Sequence, residues 1–420
     1  MAGSAASTPN PDSYWRASPP IKYTDTVNAG WSQISNATDL LVYNGVAENR
    51  TYAHHPELYY SVKTKTVYLI HSSAPIDEDS MGQDIWITVS HDDGQSWTPP
   101  HPILPAALLS NQTNTYNFTY WCDASIWQRA LQALTVVEVN GVVYTIGQTT
   151  DFYCWGDIGS GSKAAGRIAR AVTSSGTEAD DPCWLSMNNW TEVHLFNETV
   201  YGTEYGMKFC QDKDAINALI AEPDEVPAWG DWLYNHDLHA ADGVHYMQEN
   251  THAVWIVDDS SITGGYWQRF WRDITATNNT QSVWVETTIS IRGADWYPHV
   301  REEYGNKIFQ TNIPDAKTKQ FLGVLSGSGD RYFVSNSRNN SELIRQPLTI
   351  ALSRGADLSY TNIGVLRTGA DPFPAPDTRD YKNVGFSYPT AVQVGNSLIV
   401  SYSEDKQNIW VTYVDISDLP

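Results

Sequence analysis

The sequence is short of positive charge. Its 420 residues include 26 lysines and arginines against 48 aspartates and glutamates, which gives a formal net charge of −22. A general nucleic-acid binder or a protein that docks on anionic lipid needs a positive field, so the composition excludes both classes. Long apolar runs are also missing, and no stretch reaches the roughly 20 residues of a membrane-spanning helix. We therefore expect no nucleic acid and no membrane among the partners, and we expect a monomer.

Cysteine is scarce as well, with four residues that cluster in one stretch of the chain. Their flanks lack the Cys-x-x-Cys spacing of a zinc site, so two disulfides in an oxidising compartment are the better interpretation. Four cysteines allow three pairings, and the sequence does not choose among them. Our expectation is Cys122–Cys154 and Cys183–Cys210.

Signals for secretion, in contrast, are abundant. Eight Asn-x-Ser/Thr triplets, each an acceptor for N-glycosylation, begin at Asn36, Asn49, Asn111, Asn117, Asn189, Asn197, Asn278 and Asn339. The chain starts without a charged and then apolar leader, and we interpret residues 1–4 as an artificial start that replaces a removed signal peptide. We expect a secreted, extracellular glycoprotein.

Apolar residues alternate with a period of two almost throughout, and helical stripes are scarce. Residues 67–71 and 84–90 are typical short strands, and residues 133–146 predict a hairpin across an Asn-Gly turn. The same pattern continues to the C terminus, and no segment resembles a domain linker. Many short strands without helices predict a barrel, a pair of sandwiched sheets or a radial array of four-stranded sheets.

One motif selects the radial array. Residues 90–97 match the Asp-box, Ser-x-Asp-x-Gly-x-x-Trp, at every defining position. Ser90 and Asp92 can hydrogen-bond the backbone of a tight hairpin, Gly94 can supply a positive φ, and Trp97 can anchor the turn. The Asp-box fastens the outer strands of a propeller blade and has no catalytic role.

A degenerate second copy of this motif spans residues 353–360. At about 60 residues per blade, the length predicts an all-β single β-propeller of seven blades, each with four antiparallel strands. We assign residues 31–420 to the propeller and residues 1–30 to an N-terminal extension that packs on it.

Four polar segments are too long or too unusual for a plain blade, and propellers bind ligands at one mouth of the central channel. The segments are 51–57, with adjacent His54 and His55, and 115–129, 148–170 and 235–245. In the last segment, the His236-x-x-His239 spacing near Asp237 could hold a transition metal, but no helix would fix it. A structural Ca²⁺ is an equally good interpretation of this segment, and so is a plain hydrogen-bonded loop.

Several short motifs follow one another along the chain. They are His54-His55-Pro56, the Asp-box, and residues 309–315, 332–336, 345–348, 385–390 and 399–406. This order resembles the seven-bladed propeller polysaccharide lyases, which include ulvan lyases and the fungal L-rhamnose-α-1,4-D-glucuronate lyase that acts on gum arabic. Related α-L-rhamnosidases share that scaffold. The resemblance extends over most of the chain, and the secreted, glycosylated character favours the fungal enzyme.

The resemblance implies β-elimination, in which the enzyme removes the C5 proton of a glucuronate, releases rhamnose from O4 and leaves an unsaturated end. This chemistry needs a group that neutralises the carboxylate, a base and an acid. Arginine suits the carboxylate, while histidine and tyrosine suit the proton transfers, and no cofactor is required.

Carried over from the ulvan lyases, these roles fall on His55 (or His54), on Tyr153, and on Arg167 or Arg170. The segment 115–129 offers a rival tyrosine and a rival arginine. The rivals are Tyr120 and Arg129, and the candidates for sugar binding are His239, Asn312, Arg338 and Tyr388. The implied substrate is an acidic plant or algal polysaccharide that contains rhamnose and glucuronate.

Three other functions compete with the lyase. A propeller α-L-rhamnosidase could use the same histidine on the same acidic substrate, but only elimination creates an unsaturated uronate that absorbs ultraviolet light. A sialidase would show an early Arg-Ile-Pro motif and several intact Asp-boxes, and the sequence has neither feature. A sugar-binding propeller without catalysis would repeat its binding site blade by blade. The polar clusters here do not repeat, which favours an enzyme with one site.

Overall fold

The computed structural model describes most of the chain. The described residues are 14–16, 30–78, 80, 82–109, 127–152, 162–187, 208–225, 238–239, 246–273, 284–293, 307–315, 318–337, 345–354, 359–369 and 384–420. Several predicted residues lie outside them, namely Tyr120, Cys122, Tyr153, Cys154, His236, Asp237, Arg338, Asn111, Asn117, Asn189, Asn197, Asn278 and Asn339. The strand of His239 is described, but its side chain is not.

Antiparallel strands make up nearly all the regular structure of the described residues. The strands in the first half are β1 (Thr38–Asn44), β2 (Tyr52–Ser61), β3 (Thr66–Ala74), β4 (Asp84–Ser90), β5 (His101–Leu104), β6 (Ala107–Leu109), β7 (Trp127–Val139), β8 (Val142–Phe152), β9 (Ser162–Val172) and β10 (Cys183–Met187). One α-helix, α1 (Lys213–Leu219), follows β10. No helix in the described parts is long and apolar enough to cross a membrane.

The strands in the second half follow the same antiparallel pattern. They are β11 (Leu238–His239), β12 (Tyr246–Asn250), β13 (Val254–Val257), β14 (Gly265–Asp273), β15 (Trp284–Ser290), β16 (Lys307–Pro314), β17 (Phe321–Val324), β18 (Arg331–Ser335), β19 (Leu348–Ser353), β20 (Asn362–Arg367), β21 (Phe386–Val394), β22 (Ser397–Glu404) and β23 (Asn408–Asp415). A short 3₁₀ helix, Ile416–Asp418, follows β23.

These strands form the five blades of a single β-propeller. Blade 1 contains β2 to β5, blade 2 β6 to β10, blade 3 β11 to β16, blade 4 β17 to β20, and blade 5 β21 to β23 together with β1. The predicted all-β propeller with four-stranded blades is therefore correct, but the predicted number of seven blades is wrong. Dividing the length by about 60 residues per blade overcounted, because blade 2 alone runs from Ala107 to Met187 and blade 3 carries extra strands.

The N-terminal strand closes the ring. β1 pairs with β23 in antiparallel register, with Thr38 opposite Tyr413, so the last blade takes its outermost strand from the beginning of the chain. Further upstream, Trp15 forms a bridge to Tyr360. The boundary at residue 30 between an extension and the propeller stays a prediction.

The core lies between neighbouring blades and follows the period of two in each strand. In β19, Leu348, Ile350 and Leu352 pack in one cluster with residues of blade 5. The intervening Ala351 faces the other way, into a cluster with residues of blade 3. Each central strand thus buries both faces, which explains why the sequence alternates less sharply in the strands at the centre of the blades.

The Asp-box forms the tight hairpin that its sequence predicts, between β4 and β5. Asp92 accepts hydrogen bonds from Ser96 N at 2.8 Å and from Ser90 Oγ at 2.8 Å. Gly94 has a φ of 87°, and its N–H donates to Ser90 Oγ at 2.8 Å. Trp97 Nε1 donates to the carbonyl of Gly94 at 3.1 Å, so the turn is anchored from both ends.

A disulfide joins Cys183 on β10 to Cys210, three residues before α1. It attaches this helix to the outer strand of blade 2. The other expected pair, Cys122–Cys154, lies outside the described residues.

Candidate active site

Three strands from three different blades share an unusual backbone feature. His55 on β2, Glu249 on β12 and Tyr388 on β21 all have left-handed backbones, with φ values of 53°, 54° and 54°. Each residue lies at a β-bulge, where the strand shifts register against its neighbour. Residues other than glycine adopt this conformation rarely and at a cost, and bulges redirect side chains. The three strands therefore use the same device to place polar side chains.

Two of these side chains bind each other directly. Tyr388 Oη donates a short hydrogen bond to Glu249 Oε1, and both residues are buried. Arg272 Nη1 donates to Glu249 Oε2 at 2.8 Å and also lies 3.4 Å from Tyr388 Oη. The register of blade 3 explains the contact, because Arg272 on β14 pairs with Gln248 beside the bulge of β12. The result is a phenol, a carboxylate and a guanidinium in mutual contact.

The charges of this group follow from their surroundings. Burial and the neighbouring Glu249 carboxylate raise the pKa of Tyr388 well above its ordinary value. Burial alone would also raise the pKa of Glu249, but the charge of Arg272 and the hydrogen bonds from Tyr388 and Arg272 outweigh it and hold that pKa below its usual range. At neutral pH the pair is thus a neutral phenol that donates to an ionised carboxylate.

A second arginine approaches the same tyrosine. The Arg345 guanidinium carbon lies 5.6 Å from the centre of the Tyr388 ring, and Arg345 is 2% exposed. Its Nε and Nη1 are buried and have no hydrogen-bond partner in the described part of the protein. A buried cation with unused donors is costly unless an anion or water completes it. Arg345 is therefore the group of this cluster best placed to bind an anion.

The backbone of blade 5 holds Arg345 in position. Arg345 N donates to the carbonyl of Val384 at 3.1 Å, and Phe386 N donates to the carbonyl of Arg345 at 2.6 Å. Gly385 lies between them with a φ of 113°, and a Cβ there would come within 2.3 Å of the Arg345 carbonyl oxygen. The Gly385–Tyr388 motif thus carries both a tyrosine and the glycine that lets an arginine from blade 4 approach it.

Two histidines lie against the Tyr388 ring. The ring of His54 lies 4.0 Å from the ring of Tyr388, and that of His55 lies 5.0 Å from it. His55 Nδ1 is 3.2 Å from Ser72 Oγ, which accepts a hydrogen bond from Ala133 N. The serine hydroxyl can donate to this nitrogen or accept from it, so the contact fits either tautomer of His55. Burial and the nearby Lys406 lower the pKa of His55 well below its ordinary value, so the ring is neutral.

Glu78 lies beside the histidines, in the loop after β3. Its Oε1 is 3.6 Å from His55 Nε2 and accepts a hydrogen bond from Tyr52 Oη at 3.0 Å. Its Oε2 forms a short ion pair with Lys406, which lies in the turn between β22 and β23. The ion pair of Lys406 and Glu78 thus joins blades 1 and 5 beside His55 Nε2.

An outer layer supports the cluster. Lys319, fully buried, forms an ion pair with Glu57 at 3.2 Å and lies 5.5 Å from the centre of the Tyr388 ring. Asp315 accepts hydrogen bonds from Thr318 N at 2.6 Å and from Thr318 Oγ1 at 3.1 Å. Burial raises the pKa of Asp315 to about 7, although those hydrogen bonds oppose the shift.

His54, His55 and Glu78 could in principle hold a metal ion, since one ligand atom from each lies within 4.8 Å of the others. The charges around them oppose this use. Glu78 is already paired with Lys406, and Lys319 and Arg345 add two more positive charges near the imidazoles. A divalent cation would enter a cationic pocket, whereas an anion would be stabilised there.

The structure places the predicted residues unevenly. It brings His54, His55 and Tyr388 together, and it places Arg129, Arg167 and Arg170 on the strands of blade 2. Arg170 donates to the carbonyls of Ile103 and Asp180, and Arg129 lies over the Trp184 ring at 4.7 Å. Asn312 binds both backbone groups of Trp15, at 2.8 and 3.1 Å, and so attaches the N-terminal segment to blade 3.

Four charged residues of the cluster lie outside every segment that the sequence analysis singled out. They are Glu78, Glu249, Arg272 and Lys319, while Glu57, Arg345 and Lys406 appeared only as members of the segments 51–57, 345–348 and 399–406. One signal was available, because Glu57 and Glu249 interrupt strand patterns in a chain with few charges. A charge buried in a strand requires a partner, and the partners lie in other blades.

Comparisons with known proteins bear on the fold. No protein-family model matches the sequence, and no curated protein matches it significantly. A solved structure named as a sialidase superposes with a TM-score of 0.63 at 18% identity, covering 92% of this chain and 33% of that protein. The chain shares its fold with a sialidase, and this fold is one used by carbohydrate-active propellers. It spans about a third of that protein's length.

Two smaller enzymes superpose more loosely. A leech intramolecular trans-sialidase gives a TM-score of 0.47 at 10% identity, covering 91% of this chain and 71% of the enzyme. An intramolecular trans-sialidase from Ruminococcus gnavus gives 0.42 at 10% identity, covering 91% and 98%. Because these two TM-scores are low, the fold assignment rests on the first structure.

Proposed function

We propose that the protein is a glycosidase that removes a terminal acidic sugar, with Tyr388 as the nucleophile. The observation that carries the proposal is the hydrogen bond from Tyr388 to Glu249, enclosed by Arg272 and by the unused donors of Arg345. A nucleophile hydrogen-bonded to a base that is itself held by a third group is the general arrangement of covalent catalysis. Sialidases are the known glycosidases that use a tyrosine nucleophile.

The proposed reaction has two steps. In the first, Tyr388 Oη attacks the anomeric carbon while its proton passes to Glu249, the new C–O bond forms and the bond to the leaving oxygen breaks. In the second, a water attacks the same carbon and gives up a proton to solvent, the bond to Tyr388 breaks, and Glu249 returns the proton to the phenolate. Solvent water supplies the proton of the leaving oxygen, because neutral His55 could act as that acid only by becoming an imidazolate.

The charge of the substrate explains the choice of a phenol. A sugar acid carries a carboxylate, which would repel a carboxylate nucleophile that approaches the same sugar ring. Neutral Tyr388 avoids that repulsion, and Glu249 is shielded by its ion pair with Arg272. Arg345 is suited to the substrate carboxylate because a guanidinium offers a planar fork of donors and stays charged.

A second candidate is β-elimination on a rhamnose-α-1,4-glucuronate linkage, which the resemblance to the propeller lyases suggests. One observation favours it: neutral His55 and Tyr388 lie on one side of the site, with ring centres 5.0 Å apart, and could serve as base and acid. Arg345 would then neutralise the uronate. We rank it second because the proton of Tyr388 is already directed to Glu249.

One experiment separates the two reactions. The purified chain is incubated with p-nitrophenyl glycosides of acidic sugars, with gum arabic and with ulvan, and released nitrophenol, rhamnose and ultraviolet absorbance are followed together. Hydrolysis without ultraviolet absorbance supports the glycosidase, and absorbance that rises with rhamnose supports the lyase. Inactivity on every substrate would contradict both.

The role of the tyrosine is tested with Tyr388→Phe. We expect kcat to fall by about 10³-fold because the nucleophile is lost while the ring remains. Tyr402→Phe is the matched control, since Tyr402 is also buried in blade 5 and accepts a hydrogen bond from Arg367 at 2.8 Å. Equal activity in both variants would refute the proposed role.

We also propose secretion as a glycoprotein that acts on acidic polysaccharides. Asn36 and Asn49 support this proposal, since both residues are exposed. Treatment with an N-glycosidase, followed by mass spectrometry of the protein from its native source, tests it. Unmodified Asn36 and Asn49 would contradict it at these two sites.

A further inference from the structure

His54 has polar atoms that nothing in the described protein uses. The residue is 0% exposed, and neither Nδ1 nor Nε2 has a hydrogen-bond partner among the described residues. Buried polar groups without partners cost free energy, because they have given up their hydrogen bonds to water. The adjacent His55 differs, because Ser72 holds its Nδ1. A bound molecule that supplied both a donor and an acceptor would remove the cost at His54.

The position of His54 makes the substrate the natural partner. Its ring lies 4.0 Å from the Tyr388 ring, and the Arg345 guanidinium carbon lies 5.6 Å from that ring. A sugar acid bound to Arg345, with its reacting carbon near Tyr388, therefore lies within one monosaccharide of His54. Tyr388 itself is 4% exposed, so protein surrounds it on nearly every side.

The charge state of His54 defines what it can recognise. Burial, followed by the neighbouring His55 and the positive charges of Lys406 and Arg345, lowers its pKa well below the ordinary value. A neutral imidazole has one N–H donor and one lone-pair acceptor. A hydroxyl group matches this pair because it accepts and donates at the same atom, whereas a carboxylate oxygen can only accept.

We propose that His54 is a specificity-determining residue that recognises a hydroxyl on the carbon next to the one that bears the substrate carboxylate. The inference rests on the proposed glycosidase and deepens it, because it names the class of sugar acid. In a terminal uronic acid that neighbouring carbon carries a hydroxyl. In a sialic acid it is a CH₂ group, which would leave His54 without a partner. The site thus selects uronic acids over deoxy sugar acids.

The size of the effect follows from the enclosure of the site. A site built to hydrogen-bond a substrate hydroxyl rejects the analogue that lacks it, because its own buried groups are then left unpaired. We expect wild-type kcat/KM for a p-nitrophenyl glucuronide to exceed that for the p-nitrophenyl sialoside by about 10²-fold or more. Removing the polar atoms of His54 should abolish most of this preference.

The test compares three variants. His54→Phe keeps a ring but removes both polar atoms, and His54→Gln keeps a donor and an acceptor. His71→Phe is the matched control. His71 of blade 1 is also fully buried, and neither of its nitrogens has a hydrogen-bond partner among the described residues, but its ring packs against Tyr43 of blade 5 with ring centres 4.4 Å apart. For each variant, kcat and KM are measured for both p-nitrophenyl glycosides, and the binding of free glucuronate and of its deoxy analogue is measured by calorimetry.

We expect His54→Phe to lower kcat/KM and binding for the glucuronate by about 10²-fold and to leave the deoxy acids nearly unchanged. His54→Gln should retain part of the selectivity, and His71→Phe should retain all of it. An equal loss on both acids in His54→Phe, or full selectivity in that variant, would overturn the proposal. If His54→Phe fails to fold, His54→Gln provides the test. An equal fold-loss of binding for both acids in that variant would overturn the proposal.

The design also distinguishes the two proposals. If the wild-type protein hydrolyses neither glycoside, the proposed glycosidase fails. The calorimetry still tests His54 in that case, because a preference for glucuronate over its deoxy analogue does not depend on turnover. Equal binding of the two free acids would then contradict the role of His54.

Discussion

The Asp-box hairpin and the buried cluster around Tyr388 both contain polar residues next to backbone positions with a positive φ, and both include residues of blade 1. In the hairpin, the two carboxylate oxygens of Asp92 accept from Ser90 and Ser96, and Ser90 Oγ in turn accepts from Gly94 N. In the cluster, Arg345 and His54 are buried and have donors or acceptors without described partners. The hairpin is a completed network at the surface, and the cluster is an incomplete one in the interior.

This difference distinguishes polar groups that stabilise the fold from polar groups whose hydrogen bonds are left for a ligand. A completed network stabilises the fold without a ligand, because its hydrogen bonds are all made within the protein. Buried polar groups without partners cost free energy unless a ligand or water forms hydrogen bonds with them. The left-handed backbones of His55, Glu249 and Tyr388 add to that cost. Among the described residues, the cluster combines buried polar atoms without partners and three left-handed backbones, both of which cost stability in the absence of a ligand.

After Tyr388, the largest effect on catalysis is expected at Arg345. Arg345→Met removes the unused cation, so the preference for an acidic sugar over its uncharged amide should fall by about 10²-fold, mainly through KM. Arg367→Met is the control, since Arg367 is also half enclosed by aromatic rings but pairs with Asp39 and Glu404. Kinetics on the acid and amide of one p-nitrophenyl glycoside measure the effect, and an unchanged preference would contradict the anion-binding role.

A smaller effect is expected at Asp315, through pH. The folded protein holds the Asp315 carboxyl neutral up to about pH 7, whereas the unfolded chain loses that proton near its ordinary pKa. The unfolded state thus binds fewer protons between the two values, and stability falls as pH rises through that window by up to about 1.4 kcal/mol per unit. Asp315→Asn should remove this part of the fall and should be more stable than the wild type above pH 7.

Urea unfolding at several pH values measures the Asp315 contribution. The amide introduced by Asp315→Asn keeps an acceptor for Thr318 N, so the turn before β17 is retained in the variant. Parallel stability curves for the two proteins from pH 4 to pH 8 would show that Asp315 is not neutral in the fold.

The smallest effect is expected in the Asp-box. Asp92→Ala removes three hydrogen bonds in an exposed turn and should lower the free energy of unfolding by about 1–2 kcal/mol while leaving kcat unchanged. Gln95→Ala, in the same turn but outside that network, is the control and should change neither quantity by much. A loss of activity in Asp92→Ala beyond its loss of stability would break the distinction between the two networks.

The sequence predicted the local features and part of the site. The period of two, the Asp-box and the Asn140-Gly141 hairpin lead directly to an all-β propeller, because each depends on residues close together in the chain. The number of blades was wrong because it assumed a uniform blade length. His54 and His55 were named as catalytic candidates and Tyr388 as a candidate for sugar binding, and the structure brings their rings together.

The rest of the site could not be read from the sequence for physical reasons. Glu249 and Tyr388 are separated by 139 positions and meet only because the blades form a ring. The β-bulges that turn them inward depend on pairing with neighbouring strands, and residues such as Glu249 carry no local preference for a left-handed backbone. The roles of Arg129, Arg167 and Arg170 of blade 2 came from the resemblance to the ulvan lyases and stay predictions.

The most direct test of the central claim is to identify the residue that becomes attached to the sugar. The wild-type protein is incubated with a fluorinated glycoside of an acidic sugar, which slows the second step, and the digested protein is examined by mass spectrometry. The account predicts a sugar adduct on the peptide that contains Tyr388, and a loss of that adduct in Glu249→Gln. An adduct on another residue, or turnover of the parent glycoside by Tyr388→Phe at the wild-type rate, would contradict it.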